Sequence, residues 1–213
     1  MSDLAYIQRY SLKVQRKTPK VKLRNVRRNI AFMFGFRSWK DLVNSSYWRK
    51  RLIKALIQHP DILFNGFDYH ELHPELTKDQ WDEFVADNMN RLSWDYGKIH
   101  YLSEWLNSYL RPIKSINYKA NYQSICPILK KAIQRDFKIS DEIIPGHFIH
   151  AMLLSDFHMV KSSDKKTCYF NVSQKSINEM KAQNDRYDDI IGHGADYIRF
   201  DSLKPNGVYC RVA

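Results

Sequence analysis

Apolar residues recur at helical spacing through most of this chain, and that periodicity constrains the fold more than any other feature. Leu23, Val26, Ile30, Met33 and Phe34 share one face of a helix expected over residues 21–34. Trp81, Phe84, Val85, Met89 and Leu92 form a second stripe, and Ile99, Leu102, Trp105, Leu106 and Tyr109 a third. Recurrence every three to four positions puts such residues on one side of an α-helix, and that side has to be buried against a neighbour. Glycine and proline number only seven each in 213 residues, too few for a turn-dense sandwich or barrel.

Local signals punctuate the stripes. Residues 3–16 read as a first short helix or an extended arm, broken at residues 17–20 because Pro19 disfavours helix at Thr18. Gly35 reads as a helix C-cap, Ser38 as the next N-cap with Asp41 in the capping-box position, and Ser46 as the start of a third helix. In that helix Trp48, Leu52, Ala55 and Leu56 are expected inward and Lys50, Arg51 and Lys54 outward, with Pro60 closing it. Residues 64–67 form a turn, and Thr77 with Gln80 a capping box. From Asn121 a helix carries Ile125, Ile128, Leu129, Ala132 and Phe137, with Pro127 in its first turn. Residues 148–157 are apolar enough for a helix buried on most sides. Residues 168–172 are the best strand candidate, a helix follows over 173–185, and residues 197–200 and 207–212 read as short strands around a turn at Pro205 to Gly207. The expected class is mainly α: a helical body, an N-terminal basic helical hairpin and a small C-terminal α+β portion.

Charge divides the chain differently. Residues 1–60 hold 15 Lys or Arg against only Asp3 and Asp41, whereas residues 61–213 hold 19 basic against 21 acidic. The chain therefore reads as a basic segment, 1–60, followed by a near-neutral core, 61–213, with the whole net charge of +11 owed to the first. Such asymmetry is the compositional footprint of nucleic-acid binding, or of an anionic membrane or acidic protein partner. A merely solvated basic face is the bland alternative. Lys20, Arg24, Arg27 and Arg28 fall along one flank of the helix at 21–34, and Arg37, Lys40, Arg49, Lys50, Arg51 and Lys54 extend the set. Phosphate neutralisation by these ten side chains is the expected chemistry. The helix pair around Gly35 has the small residue and turn glycine of a helix-turn-helix, but Asp41 and Asn44 occupy positions that should be apolar. If that pair contacts DNA, Arg37 and Lys40 are its natural contacts. Helix-turn-helix binders often act as pairs, which leaves a homodimer open.

Other classes find less. The first residues lack the apolar core of a signal peptide, and no apolar run approaches the roughly 18 residues of a membrane span. Cys126, Cys168 and Cys210 are far apart and in no metal-binding spacing, so reduced thiols in a cytoplasm are expected. His70 with His73, and His147 with His150 near His158, have ligand-like spacing without a glutamate or clear third ligand, and no metal or cofactor is expected. Asp164 with Glu179 and Lys181 has the residue types of a metal-dependent nuclease. In those enzymes strand alternation aims both side chains at the metal, whereas here the pair falls in a helical stretch. No glycine-rich phosphate cradle is present.

Two segments carry a resemblance. Residues 26–42, with Ala31, the Gly35-Phe36 turn and Ser38-Trp39 before Asp41, are similar to a short helical module found at the ends of assorted bacterial and plasmid proteins. Residues 144–149 (Ile-Pro-Gly-His-Phe-Ile) and 168–177 (Cys-Tyr-Phe-Asn-Val-Ser-Gln-Lys-Ser-Ile) resemble uncharacterised proteins of phages and plasmids, with Pro145 in place of a more polar residue. The resemblance implies a mobile-element origin, and with it two roles: binding nucleic acid, DNA or RNA, or blocking a host defence or nucleoprotein complex. The expectation is a non-enzymatic nucleic-acid-binding protein. A phage-type inhibitor docked on a host complex is the alternative, and a metal-dependent nuclease the third.

Overall fold

The computed structural model of the chain describes residues 2–68, 73–137, 144–164 and 166–191. The fold is mainly α and divides into two compact units, Met1–Tyr96 and Gly97–Ala213. The first unit thus runs past the basic segment to include a long acidic helix. The strands expected at 197–200 and 207–212 lie outside the described residues.

The first unit contains α1 (Asp3–Lys17), α2 (Leu23–Met33), α3 (Trp39–Asn44), α4 (Tyr47–Gln58), the short strands β1 (Ile62–Leu63) and β2 (Gly66–Phe67), and α5 (Lys78–Trp94). Residues 3–17 are helical rather than an extended arm, with Ser2 accepting from the Ala5 N–H at 3.3 Å. The local signals act where the sequence placed them. Ser38 accepts from Asp41 N at 3.1 Å, Ser46 from Arg49 N at 3.3 Å, and Thr77 and Gln80 close a reciprocal capping box. Each such cap satisfies an orphan backbone donor, worth about 1 kcal/mol. Gly35 (φ +73) ends α2, with Gly35 N donating to Phe32 O and Phe36 N to Ala31 O. Those two bonds make a Schellman motif, which demands the left-handed residue that glycine supplies. α1 packs against α2 and α4, and α2 against α3 and α5. Their shared core includes Ile7, Ile30, Phe34, Leu42, Leu52, Leu56 and Leu92. α4 buries Ile53 as well as Leu52, Ala55 and Leu56, so its core face is broader than expected. Trp48, Lys50, Arg51 and Lys54 are all half-buried.

The second unit comprises α6 (Tyr96–Tyr109) from Gly97 onward, β3 (Pro112–Asn121), α7 (Tyr122–Phe137), α8 (Pro145–Leu154), β4 (Met159–Lys161), β5 (Cys168–Val172) and α9 (Gln174–Ile191). The strands form an antiparallel sheet in the order β3-β5-β4. β3 carries no clean alternation, since residues 112–115 are all exposed, and its pairing with β5 slips twice. Side-chain amides take over where the ladder breaks: Asn117 donates to Val172 O at 2.9 Å and Asn171 to Ile113 O at 2.8 Å. Asn171 also accepts from His158 N at 2.7 Å, so one buried amide ties three segments together. α8 is buried on nearly every side, as its composition requires. Pro127 stands at the sixth residue of α7, in the second turn rather than the first, where it withholds one N–H from the helical ladder.

Candidate nucleic-acid interface

All ten cations singled out from the sequence lie in the first unit, but packing sorts them into two groups. Lys20, Arg24, Arg28, Arg37 and Lys40 are exposed. Among the described residues none of these five takes part in an ion pair, and Asp41 is the only acid close to them in sequence. Lys20 sits in the turn before α2, Arg24 and Arg28 one helical turn apart on α2, Arg37 in the link to α3, and Lys40 in α3 itself. Lys22, the N-cap of α2, makes no side-chain cap, and the first turn of the helix holds no acid. Its open N–H groups and positive dipole end therefore reinforce the neighbouring cations.

The other five cations are half-buried, and four of them engage neighbouring side chains. Arg27 stacks over Trp39, 5.3 Å from the ring centroid, and so fastens α2 to α3. Arg49 lies over Phe36 and Tyr96, at 4.6 and 5.7 Å, and burial lowers its pKa against the opposing pull of Tyr96. Arg51 stacks over Trp48 at 5.5 Å and donates to the Tyr47 hydroxyl at 3.2 Å. Lys54 pairs with Asp3 at 2.9 Å, tying α4 to α1. Lys50 lines a shallow cavity with Ser2, Asp3, Leu4 and Tyr47. Desolvated or paired cations of this kind spend their interaction energy inside the protein.

Other exposed cations were not singled out from sequence. Arg9, Lys13, Arg16 and Lys17 are exposed on α1, and Lys22 precedes α2. Their signal was the same helical spacing, readable only once residues 3–17 are known to be a helix. The acids of α5, Asp79, Asp82, Glu83 and Asp87, are also exposed, and all lie in its N-terminal two thirds. The C-terminal end of α5 meets the end of α2 instead. Asn90 donates to Met33 O at 2.9 Å, and Ser93 to Phe34 O at 2.9 Å.

α3 has only six residues, and its Trp39 and Leu42 are half-buried and buried. At a rise of about 1.5 Å per residue it spans roughly 9 Å, little more than one and a half turns. The α2–α3 pair therefore offers Arg37 and Lys40 beside a short helix rather than a long helical face. No known family, curated protein or solved structure matches this chain. What it does must therefore be argued from its own surface.

The remaining sequence candidates are placed as follows. His150 is fully buried, with Nδ1 2.8 Å from Gly146 O, and His147 is also buried, while His158 is exposed. His70 lies outside the described residues. His73 bonds to Asp68 at 2.8 Å and Glu75 at 3.3 Å and stacks on Trp81, so it belongs to an aromatic-acid cluster at the start of α5. Asp164 is held in a turn by Ser162 and Lys166 N, while Glu179 and Lys181 are exposed on α9, with Glu179 3.9 Å from Lys175. Among the described residues no group of three or more His, Cys, Asp or Glu side chains could hold a metal ion. Burial pushes the Cys168 thiol up to about 12, far from a thiolate nucleophile at neutral pH.

Proposed function

We propose that this chain binds nucleic acid without cleaving it, through the exposed cations of its first unit. One observation carries this reading: Lys20, Arg24, Arg28, Arg37 and Lys40 are exposed and make no ion pair among the described residues, with Lys20 and Arg24 at the uncapped start of α2. A protein that neutralises its own charges spends them on stability. This surface leaves them for a polyanion, whose phosphates would release counterions on binding.

The test is a titration of labelled DNA and RNA at several salt concentrations, with Arg24→Glu/Arg28→Glu alongside. The logarithm of affinity should fall with that of salt by about 0.7–0.9 for each phosphate contacted. The double variant should bind weakly and with a shallower slope. A flat salt response, or binding unchanged in the variant, sinks the proposal. It would turn attention to an acidic protein partner such as a host complex. No helix among the described residues is long and apolar enough to cross a membrane.

A further inference from the structure

We propose that the nucleic acid is single-stranded and that Phe32 and Trp94 stack on its bases, an inference that rests on the nucleic-acid reading of the same unit. Arg24, Arg28 and Phe32 follow one another at intervals of four residues on α2, and all three are exposed. Such spacing sets them in one gently turning line, with about 6 Å of rise between neighbours. The line thus runs from two guanidinium groups with no ion pair among the described residues to an apolar ring that is 51% exposed.

A second ring stands at the same end of the helix. Trp94, the last residue of α5, is 66% exposed. It is nonetheless held in place, because a Cβ on Gly35 would meet Trp94 Cε2 at 3.1 Å, so the indole rests on the bare glycine backbone. Asn90 and Ser93, on the preceding turn of α5, donate to the carbonyls of Phe32, Met33 and Phe34. These bonds join the two helix ends that carry the rings and cover carbonyls that would otherwise repel a phosphate. Large rings exposed to water leave apolar surface unburied, which a flat partner can cover. Presented beside guanidinium groups, they form a stacking platform next to a backbone track, the combination that recognises single strands.

A duplex cannot use this platform, since its base faces are stacked inside and only edges and phosphates are accessible. Six-residue α3 is also a poor candidate for the groove-filling helix that duplex readers employ. The occupant that fits is therefore a flexible strand with unpaired bases, its phosphates on Arg24 and Arg28 and its bases on Phe32 and Trp94.

The experiment is fluorescence anisotropy with the full chain. The probes are an unstructured DNA oligonucleotide, its RNA equivalent and the same DNA sequence annealed to its complement. The variants are Phe32→Ala, Trp94→Ala, Trp94→Phe and Arg24→Glu/Arg28→Glu, each checked by thermal unfolding and gel filtration. Single strands should bind more tightly than the duplex. Each alanine variant should weaken single-strand binding by about 5- to 100-fold, with duplex binding nearly unchanged and Trp94→Phe close to the parent. Equal losses for single strand and duplex, or none, would overturn the inference while leaving the nucleic-acid reading intact if the arginine variant still fails to bind. Absence of binding to every probe would sink that reading itself. A dimer of the parent chain that Trp94→Ala dissociates would overturn the inference too, by assigning the rings to a second copy.

Discussion

The guanidinium carbon of Arg49 stands 4.6 Å from the centroid of the Phe36 ring, and its Nε is buried with no hydrogen-bond partner among the described residues. Phe36 is itself the residue that closes the Schellman motif of α2, so this stack joins α4 to the α2–α3 turn. Arg49 is therefore a packing residue that happens to be charged. Arg49→Ala should lower stability by about 0.5–2 kcal/mol, the value of a partly desolvated cation–π contact. Arg24→Ala, on an exposed side chain, should stay within about 0.5 kcal/mol of the parent. Urea unfolding of the two variants checks the contrast. Salt titrations should show the reverse order, with the slope changed by Arg24→Ala and kept by Arg49→Ala.

Gly35 carries two constraints at once. Its φ of +73 is a conformation that L side chains rarely adopt, and the Trp94 ring occupies the space a Cβ would need. Gly35→Ala should cost about 1–2 kcal/mol from the backbone alone, with more from displacing the indole. Chemical denaturation measures the total. Gly35→Ala in a Trp94→Ala background separates the terms, since only the backbone cost should survive there.

Asp136 gathers three donors: Arg135 Nε at 2.7 Å, Trp105 Nε1 at 3.0 Å and the Tyr109 hydroxyl. Burial works against its charge, but these hydrogen bonds outweigh burial and hold its pKa below the usual 3.8. A depressed folded pKa contributes stability that is fully present above the unfolded value and is lost as pH falls through the folded one. Asp136→Asn should therefore destabilise the chain at neutral pH, and the gap to the parent should narrow as pH falls below 3.8. Urea midpoints measured across the acid range decide it. A gap independent of pH would show that the carboxylate charge contributes nothing.

His73 is shifted the other way. Its hydrogen bond to Asp68, with a weaker one to Glu75, raises its pKa above 6.5 in spite of desolvation. A raised folded pKa means stability that is present below 6.5 and is lost as pH rises through the folded value. An NMR titration of the imidazole should give a midpoint above 6.5, and Asp68→Asn should bring it down. A midpoint unchanged by that substitution would assign the shift to another neighbour.

Much of the local structure was legible before any fold was known. Ser38, Ser46, Thr77 with Gln80, and Gly35 end or begin helices where the sequence said they would, because a cap acts over three or four residues. The stripe from Ile99 to Leu106 is buried and residues 168–172 form a strand for the same reason: periodicity is a local property. The stripe over residues 81–92 was only half right, since Phe84 is 37% exposed and Trp81 packs with His73 instead of entering the core.

The sequence determined that the first sixty residues are cationic and helical, and that the fold as a whole is mainly α. It could not determine β3, whose ladder depends on Asn117 and Asn171 bridging to strands more than fifty residues away. Nor could it separate Arg24 and Arg28, which face water, from Arg27 and Arg49, which lie on aromatic rings supplied by other elements. Trp94 stands just past the stripe that ends at Leu92, and only the fold lays its indole on the bare backbone of Gly35 while leaving it largely exposed. Caps and stripes arise within one or two turns of chain, whereas the exposure of a charge or a ring depends on which distant segment lands on it. Tertiary structure alone makes that choice.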